Sequence, residues 1–408
     1  MISIMTKAPW PEFLDMPKGR LSFDPYLLLT TLALMLVGFV MIASASMDVA
    51  ARDFGSPYHF VMRQAIFMVI ALVTLALVSL MPMQWWEKLS VPLLAIGVVI
   101  LALVLIPGIG REVNGARRWI SFGFFNLQVS ELAKIFMVVY VASYLVRRLS
   151  EVRTTWMGVI KPVLPMAIYV GLLISQPDFG VTVVLICTVL GMVFLSGMRL
   201  FQFITVLSAG VGMAVFLALT QPYRVQRLKS FMDPWADPFG AGYQLSQAQI
   251  AFGRGEWFGT GLGNSIQKLF YLPEAHTDFI YSILAEELGL IGALMVVLLY
   301  CFLIYRIFVV GRRAEKQHRL FMGYVCYGFA FIFAGQALIN IGVNVGALPT
   351  KGLTLPLLSY GGSSLLASVI MIAMILRIDF ELKRETMIEM SKNAGRKVTK
   401  QSTRRVRA

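Results

Sequence analysis

The chain has 408 residues, 58% hydrophobic and only 14% charged, whereas an ordinary soluble domain is roughly 25% charged. Water is therefore not its main solvent, and the formal net charge of +14 reads as basic loops on one side of a membrane, not as a nucleic-acid footprint. The three cysteines, Cys187, Cys301 and Cys326, all fall inside apolar runs, which argues against a disulfide framework or a thiolate metal site.

The N-terminal head carries Lys7, Lys18 and Arg20 and lacks the short apolar stretch and cleavage site of a signal peptide. The first long span is thus expected to target the chain. Apolar runs follow at about 26–45, 65–82, 91–106, 131–146, 163–175, 180–197, 203–220, 280–305, 321–342 and 362–377. Runs of this kind cross a hydrocarbon core of about 30 Å at about 1.5 Å per residue. They are continuous instead of alternating, so helices are expected over a barrel. The expectation is an all-α polytopic membrane protein of about ten transmembrane helices. The fifth and sixth runs are separated only by Gln176-Pro177-Asp178, which also fits one broken segment.

Arg147, Arg148, Arg153, Lys161, Arg199, Arg306, Arg312, Arg313, Lys316 and Arg319 share one side with the tail from Lys383 to Arg407. An even number of spans puts the N-terminal segment, 1–25, on that side too, so both termini are expected to be cytoplasmic. The membrane domain is 26–377 and the basic tail 378–408, which suits anionic lipid or a partner. Two outward segments are long: 107–130, and 221–279 between the seventh and eighth helices. Long loops in a compact protein are usually functional. The second has apolar and glycine-rich stretches of its own, which predict short helices. No internal repeat or separate soluble domain is visible.

Against the sorting of basic residues to the inside, the outward loops hold Arg111, Arg117, Arg118, Arg224, Arg227, Lys229, Arg254, Lys268 and Lys351. A solvated surface is one reading, since long loops translocate largely regardless of charge. The other is a basic collar for a phosphate or pyrophosphate carried on a lipid tail. Glu131 and Lys134, three apart, share a helix face near the outer end of the fourth span. Charges there face a cavity or each other. Asp178, beside Pro177 at the break between the fifth and sixth spans, reads as a cap or a turn former.

The run from Tyr271 to Ile280 is the densest polar cluster, with Glu274, His276, Thr277 and Asp278 just ahead of an apolar span. A partly desolvated carboxylate at the mouth of the membrane gains the pKa of a useful base. Asp278 is the first choice for that role, against the alternative that it caps the following helix. His276 reads as a proton shuttle or a hydrogen-bonding support. His318 and His59 lie far from it in the chain, so a multi-histidine metal site is not expected. No cofactor is required by the sequence, and a divalent cation (Mg or Mn) would have to be held by carboxylates and substrate phosphate. The glycine-rich run Gly253–Asn264 lacks a Gly-Lys-Ser/Thr ending and a preceding strand, which argues against a nucleotide loop. Pro349–Pro356 and Ser359–Ser364 read as a re-entrant segment.

Asn114-Gly-Ala-Arg-Arg-Trp119, Ser130-Glu-Leu-Ala-Lys134, Gln176-Pro-Asp178, Pro273-Glu-Ala-His-Thr-Asp278 and Leu358-Ser-Tyr-Gly-Gly-Ser-Ser364 closely resemble the SEDS family (shape, elongation, division, sporulation) of bacterial cell-wall polymerases. The resemblance runs from the first span to about Asp379, and Leu348–Pro356 is more similar to the division branch than to the elongation branch. Val129 and Phe179 depart from the usual proline and leucine of the family pattern. The resemblance implies a ten-helix peptidoglycan glycosyltransferase that polymerises lipid II and releases undecaprenyl pyrophosphate. It implies Asp278 as the catalytic residue, Glu131 and Lys134 as cavity-lining and Lys351 as functionally important. Arg117, Arg254, Lys268 and His276 are further candidates for substrate binding. A class B penicillin-binding protein and other divisome proteins are the implied partners, at the septum of a bacterial cytoplasmic (inner) membrane. The rival readings are a lipid II flippase and a non-catalytic scaffold that recruits the transpeptidase.

Overall fold

The computed structural model describes residues 23–219 and 230–406, apart from positions 114, 124, 241, 350 and 351. Each of the ten apolar runs forms a helix: α1 (Pro25–Phe54), α2 (His59–Leu80), α4 (Ser90–Leu105), α5 (Val129–Arg147), α7 (Trp156–Ser175), α8 (Phe179–Leu195), α9 (Leu200–Leu219), α11 (Ile280–Lys316), α12 (Leu320–Asn344) and α13 (Gly362–Val406). Short helices α3 (Met83–Lys88) and α6 (Leu149–Thr154) turn the chain between them, and α10 (Tyr243–Gly255) lies within the second long loop. Six of these helices are long and apolar enough to cross a membrane, and further shorter ones are strongly apolar. The chain is a polytopic helical membrane protein. α5, with 78% of its apolar window buried, runs through the middle of the bundle, whereas α2, at 11%, turns its side chains to lipid.

Local chemistry sets the helix ends. Asp24 caps α1 by accepting from the backbone N–H groups of Tyr26 and Leu27 at 3.1 and 3.2 Å, Pro25 occupies the first helical turn, and Gly55 closes the helix in a left-handed conformation. Gln176-Pro177-Asp178 separates α7 from α8 as two helices. At one end of the bundle Arg306 pairs with Asp24 and Arg313 lies 3.1 Å from Asp379. That end also holds Met83, whose N–H donates to Glu381 at 3.1 Å. The N-termini of α5, α11 and α13 gather at the opposite end.

The first long loop departs from the all-helical expectation. It folds as an antiparallel sheet of β1 (Gly110–Val113), β2 (Ala116–Ser121) and β3 (Asn126–Gln128), in that order. Val113 pairs with Ala116 across the Asn-Gly dipeptide, and Trp119 with Gln128. Asn-Gly between short runs is a strong hairpin signal. β3 leads directly into α5, so the sheet lies over the bundle end where α5 begins.

α11 is broken at Gly289 (φ 69, ψ −172). The loop after α10 fills the break: the N–H groups of Leu290 and Ile291 donate to Glu256 and Trp257, and those of Thr260 and Gly261 donate to Glu286 and Glu287. Gly259 and Gly289 press backbone to backbone there, leaving no room for a Cβ on either.

Candidate functional site

At the end where α5, α11 and α13 begin, a cavity of about 660 Å³ opens under the β-sheet. Its walls come from elements distant in sequence. α2 contributes Arg63 and Phe67, β2 contributes Arg118 and Trp119, and the first turn of α5 contributes Glu131. Glu274, Thr277 and Asp278 precede α11, Gly352–Thr354 with Tyr360 and Gly361 come from the segment before α13, and Gly362–Ser364 are the first turn of α13. The last of these is held to the sheet by Ser363, whose hydroxyl donates to the carbonyl of Asn126 at 2.8 Å and accepts from the N–H of Gln128 at 3.0 Å.

Asp278 is partly buried. Burial, reinforced by the charge of Glu274, pushes its carboxyl up to about 7, against the opposing pull of Arg118. Gly352 lies so close that a Cβ on it would sit 2.7 Å from Asp278 Oδ2. Thr277 donates its hydroxyl to Glu274 Oε2 at 2.6 Å, which anchors Glu274 beside the cavity.

Arg118 reaches across to the start of α8. Its guanidinium donates to the carbonyls of Gln176 and Pro177 at 3.1 and 2.6 Å and lies 4.0 Å from Asp178. Asp178 does not cap α8 with its side chain. It accepts from the Ser130 hydroxyl at 3.1 Å instead. Burial raises the Asp178 pKa, partly offset by Arg118 and Ser130. The loop Gln176–Asp178 is thereby fastened to both β2 and α5.

The sequence-predicted residues divide into groups. Glu131 and Asp278 share the cavity. Lys134 stands behind Glu131 at 2.9 Å, the pair almost wholly buried, and Glu131 Oε2 has no hydrogen-bond partner among the described residues. His276 does not line the cavity. Its ring packs on Phe60 and Tyr360, with centroids 4.7 and 5.6 Å away, so it backs two aromatic residues of the cavity wall, and burial lowers its pKa against the opposing charge of Glu274.

Arg117, Arg254 and Lys268, expected against the substrate, do not line the cavity either. β-strand alternation turns Arg117 away from Arg118, and it pairs with Glu112 at 2.9 Å in the open. Arg254 lies 3.6 Å from Glu286, and Lys268 lies 2.9 Å from Glu287 inside the protein. These two cations neutralise the pair of buried carboxylates at the break in α11. Lys351, Arg224, Arg227 and Lys229 lie outside the described residues.

Sequence reasoning placed the second span at 65–82 and so passed over Arg63. It treated Arg118 as one of nine equivalent collar residues. A lone arginine at the outer end of a lipid-facing helix was the available signal. Among the described residues no three His, Cys, Asp or Glu side chains converge to hold a metal ion.

A bundle of apolar helices with a polar cavity at one end, lined by Asp278, Glu131, Arg63 and Arg118, defines a polytopic membrane protein with a polar site at one end of its bundle. The chain belongs to the FtsW/RodA/SpoVE family of cell cycle proteins, whose family model matches residues 25–384. It is 52% identical over 363 residues to the probable peptidoglycan glycosyltransferase FtsW of Halomonas elongata, covering 88% of this chain and 91% of that relative. To the protein of the same name from Nitrosococcus halophilus it is 53% identical over 360 residues, covering 88% and 93%. Among solved structures it is similar to a chain of a peptidoglycan synthase complex described as coordinating polymerization and crosslinking, at 31% identity and a TM-score of 0.72, covering 89% of this chain and 99% of that one. The rod shape determining protein RodA of Thermus thermophilus matches at 28% identity and a TM-score of 0.65, covering 88% and 97%.

Proposed function

We propose that this chain is a peptidoglycan glycosyltransferase that polymerises lipid II, with Asp278 as general base. The observation that carries the reading is a partly buried carboxylate with a pKa of about 7 on the wall of a cavity that also holds Arg63 and Arg118. A base is most effective when its pKa is near the working pH. The names of the relatives support peptidoglycan glycosyl transfer, and lipid II is the substrate that the family resemblance implies.

In this mechanism Asp278 takes the proton from the 4-hydroxyl of an acceptor N-acetylglucosamine. The oxygen attacks the donor's anomeric carbon, the bond from that carbon to the pyrophosphate oxygen breaks, and undecaprenyl pyrophosphate leaves with the electron pair. One base and a pre-activated leaving group suit a single inverting displacement, with no second carboxylate needed as nucleophile. Arg63 and Arg118 oppose the charge that develops on the leaving pyrophosphate. General-base assistance of this kind contributes about 10²–10⁴-fold. The setting is the bacterial inner membrane at the division septum, beside a class B penicillin-binding protein that supplies cross-linking, with other division proteins regulating the pair.

The test is glycan synthesis from labelled lipid II by the purified full-length chain in detergent, with and without that transpeptidase. Glycan made where no leaflets exist supports a polymerase. Movement of lipid II between leaflets of a vesicle, with no glycan under either condition, would establish the flippase reading in its place.

A further inference from the structure

α12 is an apolar helix, yet Gln336, Asn340 and Asn344 recur on it at four-residue steps and are buried. That spacing puts them on one face, and the face points at the start of α11. Asn340 Nδ2 donates to the backbone carbonyl of Asp278 at 2.9 Å and to that of Leu353 at 2.6 Å. Asn344 Nδ2 donates to the same Asp278 carbonyl at 3.0 Å. Asn344 Oδ1 accepts from the N–H of Ser282 at 3.1 Å and from its hydroxyl at 2.7 Å.

In an uninterrupted α-helix the carbonyl of residue 278 would accept directly from the N–H of residue 282. The primary amide of Asn344, which both donates and accepts, is spliced between those two groups. It bridges the two groups, beside the bond from the Ser282 N–H to the Phe279 carbonyl at 3.0 Å, while letting the backbone leave helical geometry, so α11 starts at Ile280 and Asp278 stays outside the helix. An extended first turn would swing its carboxylate around the helix axis. Asn340 fixes the other wall: by holding Asp278 and Leu353 together it sets the approach of Gly352 to the carboxylate, where even a Cβ would stand 2.7 Å from Oδ2.

We propose that Asn340 and Asn344 are positioning residues for Asp278, holding its carboxylate outside α11 and against Gly352. The proposal rests on the reading of Asp278 as the base. Neither asparagine lines the cavity, so each acts through the Asp278 backbone and not on substrate. The charged groups that act on Asp278, namely Glu274, Arg118 and Asp178, are left in place by substitution at either asparagine.

The experiment measures kcat, KM and the pH–rate profile of lipid II polymerisation by full-length Asn344→Leu and Asn340→Leu, beside wild type and Asp278→Asn. Asn340→Leu keeps the approximate shape of the side chain, adds no charge and removes the donor that holds both carbonyls. Expected for each asparagine variant is a fall in kcat of at least tenfold, KM within about twofold of wild type, and an acidic limb displaced to lower pH as Asp278 moves toward water. Wild-type kcat with an unmoved limb overturns the proposal, and so does a matching loss of kcat and rise in KM with the limb unmoved, which marks a merely structural role. If Asn344→Leu does not fold, as judged by gel filtration and melting in detergent, Asn340→Leu decides by the same criteria. Wild-type activity in Asp278→Asn is a separate outcome: it overturns the assignment of the base, and the positioning role falls with it.

Discussion

Replacing Lys268 separates a structural cation from a substrate-binding one. Its Nζ donates to Glu287 Oε1 at 2.9 Å and to Ser44 Oγ at 3.0 Å, in an ion pair whose side chains are only 6% and 0% exposed. Lys268→Met preserves the apolar stem and removes the charge. Glu287 is then left with the Ser44 hydroxyl at 2.6 Å and the more distant Ser265 N–H at 3.4 Å, and with no opposite charge shown in contact. Removing one partner of a buried pair costs about 3–5 kcal/mol, whereas an exposed pair such as Arg117–Glu112 is worth about 0–1 kcal/mol. Unfolding in detergent should therefore show a large loss for Lys268→Met and almost none for Arg117→Met. Adding Glu287→Gln to Lys268→Met should recover part of the loss, with a coupling of about 0.5–3 kcal/mol. The folded fraction of Lys268→Met should turn over at the wild-type rate, because Lys268 does not line the cavity. Unchanged stability together with a raised KM would refute this reasoning and put Lys268 at the substrate.

Glu274→Gln removes the second-largest influence holding the Asp278 pKa up. The acidic limb of the pH–rate profile should therefore move to lower pH, while burial keeps it above the ordinary carboxylate range. With a pKa of about 7 roughly one Asp278 in ten is ionised at pH 6, so the variant should outpace wild type there. No gain at pH 6 would contradict the pairing. Gly352→Ala places a methyl 2.7 Å from Asp278 Oδ2 and should lower kcat tenfold or more with little change in melting, as read by the polymerisation assay and a thermal ramp. Gly289→Ala forces a Cβ into a left-handed position (φ 69) closed in by the backbone of Trp257–Gly259. It should destabilise by at least about 1–3 kcal/mol, measured by unfolding in detergent.

What sequence could reveal followed the range over which each signal acts. Hydropathy is summed along a single segment, so all ten apolar runs reappear as helices, and the close pair around Gln176-Pro177-Asp178 resolves into two. The β-hairpin over the bundle end was masked by a chain otherwise written in helical runs, although Asn114-Gly115 marked it. Asp278 stood out because its cluster is local. The partners of Arg254 and Lys268 were not legible, because a basic residue in an outer loop looks the same whether it meets substrate or, as here, one of two carboxylates buried at a helix break, 32 and 19 residues further along the chain. Asn340 and Asn344 were illegible for the converse reason. An amide inside an apolar run reads as a tolerated core residue until the Asp278 carbonyl it holds, more than sixty residues earlier in the chain, is brought against it.

The central claim is that this cavity polymerises lipid II through Asp278. Its most direct test is the rate of glycan formation from pH 5 to pH 9 by purified wild type and Asp278→Asn, at equal folded concentration and with the same transpeptidase present. Wild-type activity should rise through a limb near 7, and Asp278→Asn should lose about 10²-fold or more at every pH, with lipid II still bound. Glycan synthesis by Asp278→Asn at the wild-type rate, with the limb intact, would contradict it.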